Sequence, residues 1–119
     1  SEMGGAASKR GSLELVIEMR AKPGKPQELY QALQALLPTI RAEKGCRDCR
    51  VCRDIEDWEV FFLSVEWESM ASLENYSHTE SCSAFLGAVG LLAETARLRI
   101  GEDGTWEGIG SLKKLRKKT

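Results

Sequence analysis

A single histidine, His78, and a single asparagine, Asn75, stand in 119 residues. Histidine is the one side chain whose ordinary charge change falls near neutrality, so a lone copy leaves little room for imidazole catalysis. The chain carries no Ser-His-Asp constellation, no glycine-rich phosphate loop and no nucleotide fingerprint. No apolar run approaches the ~20 residues of a membrane span. The opening twelve residues are small and polar, without the apolar stretch of a secretory signal. Triad hydrolases, nucleotide-binding enzymes and membrane partners are set aside on these grounds, and a cytoplasmic location is expected.

The composition is that of one globular domain with a core of its own: 42% hydrophobic, 29% charged. The net charge of −1 is unevenly spread. Residues 1–12 carry +1 and the last seven carry +5, which leaves −7 on residues 13–112. An acidic body disfavours nucleic acid as a partner, because phosphates need a basic face. The basic end, Lys113, Lys114, Arg116, Lys117 and Lys118, is expected as a solvated tail or an arm toward a polyanion. Three units follow: a disordered leader over 1–12, a folded domain over 13–101, and a glycine-rich then basic tail over 102–119.

Leu13, Leu15, Ile17 and Met19 alternate with Glu14, Glu18 and Arg20, the pattern of a strand with one buried side. Pro26 suits the first turn of a helix, and Leu29, Leu33, Leu36, Leu37 and Ile40 follow at helical spacing toward Lys44-Gly45. Pro38 inside this stretch predicts a kink or a tightened last turn. Residues 46–54 and 59–68 read as a hairpin. In its second strand Phe61, Leu63, Val65 and Trp67 share one face, and Glu66 belongs to the other. Ser69 caps a second helical region that breaks near 77–81. Residues 94–101 alternate again. The order β-α-β-β-α-β predicts an α+β, ferredoxin-like fold: an antiparallel sheet with both helices on one face. Val16, Phe62 and cysteines on the uncovered face predict a homodimer that hides it.

Four cysteines without an export signal read as free thiols. Taken as a plain strand, Cys46 and Cys49 face opposite sides and Cys46 and Cys52 share one at a distance of about 20 Å, at ~3.3 Å per residue. A zinc knuckle or a disulfide among them is therefore not expected. Cys49 and Cys52 read as small apolar filling. His78 reads as solvated at the helix break, and Glu66 as facing solvent or a partner.

Several short stretches carry a resemblance: Lys22-Pro23-Gly24-Lys25, Glu43-Lys44-Gly45-Cys46, Arg53-Asp54, Glu66-Trp67-Glu68-Ser69, Leu73-Glu74-Asn75-Tyr76, Phe85, and Arg97-Leu98-Arg99-Ile100. In this order the sequence resembles the antibiotic biosynthesis monooxygenase family over residues 13–101. The resemblance implies a dimeric α+β barrel. It also implies, for some members, oxidation of aromatic polyketides to quinones by oxygen without a cofactor, and for others haem degradation. Trp67 matches the tryptophan that the quinone-forming type places at the end of its third strand. Leu63 and Leu73 stand where that type carries Asn and Tyr, and no arginine lies between Arg53 and Arg97. The haem-degrading type is disfavoured, since Leu86 occupies its axial position and cannot ligate iron.

The expected activity is thus a cofactor-independent monooxygenase acting on a small aromatic, quinol-like substrate, with no cofactor and no metal. Tyr76 and Trp67 are its candidate catalytic residues. Phe61, Leu63, Trp67 and Phe85 are its candidate substrate-binding walls. The alternative is a non-catalytic dimer that binds a small apolar ligand or a protein partner.

Overall fold

The computed structural model describes residues 11–116. The first ten positions of the expected leader and the last three of the tail lie outside the described residues. Strand β1 (Leu13–Ala21) leads into helix α1 (Pro26–Arg41), then β2 (Cys46–Arg53) and β3 (Val60–Trp67). Helices α2 (Met70–Ser77) and α3 (Glu80–Leu92) precede β4 (Ala93–Ile100), and a two-residue strand β5 (Glu107–Gly108) and helix α4 (Gly110–Arg116) close the chain. The sheet runs β2-β3-β1-β4-β5 with every neighbour antiparallel. Helices on one face of an antiparallel sheet give the ferredoxin-like α+β fold anticipated above.

The local signals act as their chemistry predicts. Pro26 opens α1, where a missing N–H is harmless. Pro38 leaves α1 continuous, and the end tightens: the Glu43 N–H donates to the Ile40 carbonyl at 3.1 Å, a three-residue closure. Gly45 then turns the chain at φ +85°, where a Cβ would collide with the Ser72 side chain. Ser69 Oγ accepts from the Ser72 N–H at 3.2 Å and caps α2. The break falls at His78-Thr79, and Thr79 Oγ1 caps α3 by accepting from the Cys82 N–H at 3.1 Å.

Leu13, Leu15, Ile17 and Met19 lie opposite Trp67, Val65, Leu63 and Phe61. This stripe and the buried Leu29, Leu33 and Ile40 of α1 enclose the core, joined by Leu73, Phe85 and Val89. The reverse face is mostly charged. Asp48, Glu66 and Glu14 stand abreast across three strands, and Glu18 pairs with Arg97 at 2.8 Å. Val16 and Phe62 are half-buried among them, so the uncovered face carries less apolar area than the alternation implied.

Residues 107–116 are built into the fold. The expectation of a solvated tail does not hold over 107–116: β5 pairs with β4, and α4 packs on α2 with Leu112 and Leu115 buried. The Arg116 guanidinium locks this helix down, donating to the Ser77 carbonyl and, at 2.7 Å, to Ser83 Oγ. Two leucines three apart suffice because α2 offers an apolar seat.

Candidate functional site

β3 ends on Trp67, and the Ser69 cap starts α2 so that Tyr76 returns over the indole. The rings lie 5.0 Å apart, centroid to centroid, tilted by 35°, within the range of favourable aromatic pairs. Trp67 is 0% exposed and Tyr76 4%. The Tyr76 hydroxyl is buried with its ring. Three polar atoms in this layer, Trp67 Nε1, Tyr76 Oη and Ser81 Oγ, are buried without a hydrogen-bond partner. Buried groups of this kind ordinarily find one, and each left alone costs about 1–3 kcal/mol.

Burial is the main cause that raises the Tyr76 phenol well above its ordinary pKa, followed by the Cys82 thiol. The Ser81 hydroxyl approaches closely enough to oppose this shift, though outside hydrogen-bond geometry. The phenol therefore stays protonated at neutral pH and serves as a donor, never as a base. Phe61, Leu63 and Phe85 are buried in the same core. All five residues expected at the site thus occupy the layer between sheet and helices. His78 stays exposed beyond the end of α2.

The cysteines sit differently from a plain strand. A bulge between Cys46 and Asp48 shifts the register: Cys46 lies opposite Trp67 and Cys49 opposite Val65. Trp67 and Val65 share the helix-facing side, so both thiols do too, and Cys46 no longer shares a face with Cys52, which lies opposite Phe62. An inserted residue flips everything before it. Burial pushes the Cys49 thiol up to about 12, with Cys46 adding and Arg41 opposing. All four cysteines are free, and among the described residues no group of three His, Cys, Asp or Glu could hold a metal.

Two cavities open on the surface. The larger, about 650 Å³, lies on the charged sheet face against Glu14, Asp48, Arg50, Ser64 and Glu66. The smaller, about 240 Å³, lies against Arg41, Cys46, Arg47, Asp48 and Cys49. Neither Ser81 nor Arg41 was singled out in the sequence, because a helix serine and a helix-end arginine carry no distinctive spacing.

A half-sandwich with a dry aromatic layer between sheet and helices defines a class of small ferredoxin-like proteins. Residues 12–88 match the antibiotic biosynthesis monooxygenase family, and the chain belongs to it. The solved structure of PA3566 from Pseudomonas aeruginosa is similar at 28% identity and a TM-score of 0.70, over 76% of this chain and 91% of its own. A conserved protein from Methanosarcina mazei Go1 matches at 20% identity and a TM-score of 0.74, over 80% of this chain and 95% of its own. A structure described as an antibiotic biosynthesis monooxygenase matches at 17% identity and a TM-score of 0.69, over 78% and 99%. These last two likenesses concern the fold. No curated protein matches the chain significantly. Among the described residues no helix is long and apolar enough to cross a membrane.

Proposed function

We propose that this chain is a cofactor-independent monooxygenase for a small electron-rich aromatic, a quinol or a related phenol, taken up beside Trp67 and Tyr76. The observation that carries the reading is a cluster of buried polar atoms around one stacked aromatic pair: Trp67 Nε1 without a partner, and the Tyr76 and Ser81 hydroxyls with only each other nearby. A flat hydroxylated ring admitted by a shift of this packed layer would complement that set: the indole can stack on its face, and the indole N–H and phenol O–H can donate to its oxygens. Phe61, Leu63 and Phe85 supply dry walls. The ionised substrate donates electrons to O₂; one oxygen atom enters the ring system as a carbonyl and the other leaves as water. Because Tyr76 remains protonated, the site has no base of its own, and the substrate must arrive ionised. Oxygen uptake should therefore rise with pH through the substrate's own pKa.

Oxygen-electrode measurements with a panel of hydroquinones and anthrone-like phenols test this. The expected result is protein-dependent uptake that falls at least tenfold in Tyr76→Phe. No uptake with any substrate, together with stoichiometric binding of an apolar dye, moves the assignment to the second reading, a ligand-binding protein. Leu63 and Leu73, standing where the quinone-forming type has Asn and Tyr, favour that second reading.

The same proposal includes a homodimer formed through the charged sheet face, in a reducing, cytoplasmic setting that suits four free thiols. Half-buried Val16 and Phe62 form its apolar centre, and the Asp48, Glu66 and Glu14 row faces a surface that also carries Arg50, Arg97 and Arg99. Sedimentation velocity should show a dimer; a stable single subunit at high dilution removes this part.

A further inference from the structure

The second cavity lies one strand away from the aromatic pair. Cys46 lines it and is the direct cross-strand partner of Trp67, a pairing that sets Cβ atoms about 5 Å apart. Cys49 lines it too, is 1% exposed, and belongs to the same core as Trp67 and Tyr76. The bulge turns both thiols to the helix-facing side. The cavity thus opens to solvent and is lined by the cross-strand neighbour of Trp67.

Its lip carries charged groups. Arg41 lines it, its Nε donating to the Cys49 carbonyl at 3.0 Å. Its charge reaches both thiols, pulling their pKa values down against the burial that raises them. Arg47 lines the same cavity. Asp48 opposes them, but it is engaged by Arg50 Nε at 3.0 Å. Glu43 lies near enough to raise the Cys46 thiol, so the lip holds two arginines and two carboxylates, and Arg41 is the cation held against both thiols.

We infer that this cavity is the port through which ligand reaches Trp67 and Tyr76, that Cys46 and Cys49 line its neck, and that Arg41 selects aromatics carrying an anionic group. The inference rests on the proposed site and adds an entry route and a substrate class to it. A volume of about 240 Å³ suits one aromatic ring, since an apolar cavity of about 150 Å³ holds benzene. A guanidinium lining the entrance favours a ring that carries a fixed anionic group such as a carboxylate.

Gentisate and its methyl ester share a ring and differ by one charge, which makes them suitable probes. Binding is read by quenching of Trp67 fluorescence in the full chain carrying W58F and W106F. It is also read by mass-spectrometric alkylation of Cys46 in a C52S background. Gentisate should bind about tenfold more tightly than the ester, the worth of one charge-assisted contact. Arg41→Gln should erase that ratio, and Arg41→Lys should restore most of it. Cys46→Phe, at the half-buried end of the neck, should abolish quenching by both probes while the thermal transition is retained. Bound gentisate should shield Cys46 from iodoacetamide. A charge ratio unchanged in Arg41→Gln, quenching without thiol shielding, or no quenching by either probe overturns the port. The two proposals fail separately. Shielding and a charge ratio without oxygen uptake leave the port and remove the oxygenase. Uptake that neither Arg41→Gln nor Cys46→Phe alters does the reverse.

Discussion

The two faces of this sheet are made from the same strands, residue by residue in alternation, and they treat polar groups in opposite ways. On the charged face the carboxylates find partners, Arg99 Nε being, among the described residues, the one buried polar side-chain atom there without one: Glu14 accepts from Ser64 Oγ at 2.9 Å, Glu66 from Ser12 Oγ at 2.9 Å, Glu18 from Arg97. On the helix-facing side, three polar atoms are left without any. Water can satisfy the first set at little cost, whereas nothing in the core satisfies the second. The contrast separates a surface from a site: unpartnered donors in a dry layer are where a polar ligand gains most.

The sharpest way to break that comparison is Trp67→Ala. It removes the largest fully buried side chain and should cost about 3–5 kcal/mol in urea unfolding. Trp67→Phe keeps most of the apolar area and removes one orphaned donor, so it should cost far less. Equal costs for the two variants would mean that the indole N–H is satisfied in solution.

Leu112→Ala tests whether the chain end belongs to the dry face. A buried leucine truncated to alanine costs about 2–5 kcal/mol. Here the lower end is expected, because α4 can detach locally and so limit the loss. Amide exchange should report that opening over 110–116. No change in either measurement would return the segment to a solvated tail. The reason it escaped the sequence reading is physical: two leucines among lysines give no helical stripe, and their burial depends on α2 lying beneath.

Other features were open to reading for reasons that are just as specific. Leu13 to Met19 and Phe61 to Trp67 alternate cleanly, and one buried face admits a single register. Ser69 and Pro26 carry their own backbone chemistry. The bulge at Cys46–Asp48 has no glycine or proline to mark it, so the side on which Cys46 falls was invisible. Tyr76 was seen as a site residue, but its depth depends on how α2 and α3 meet over Trp67, which no spacing encodes.

Cys49 places the dry face on a pH scale. Its folded-state pKa is raised from 9.0 to about 12, so the folded protein keeps a proton that the unfolded chain has lost. The stability this contributes is intact below pH about 9 and drains away between about 9 and about 12, with a limiting slope of about 1.4 kcal/mol per pH unit. Tyr76, also raised, adds loss of the same sign above its ordinary range. Urea midpoints followed from pH 8 to 10, an interval on the order of the first loss, should fall less steeply in Cys49→Ala. Parallel curves would place the thiol in contact with water.

The smallest effect belongs to the charged face. Glu14 and Glu66 stand directly opposite, with Asp48 beside Glu66, and like charges in that position are unfavourable by about 0.2–1 kcal/mol. Glu14→Gln removes one of them while its side-chain carbonyl can still accept from Ser64. The expected result is a change within about 0.5 kcal/mol, toward stabilisation in dilute buffer, that disappears near 1 M salt, where screening acts within about 3 Å. A loss of several kcal/mol would mean that this carboxylate meets a cation which the single chain does not supply. The arginines of a second copy are the nearest candidates, so the same substitution measures how far the charged face is a surface and how far it is an interface.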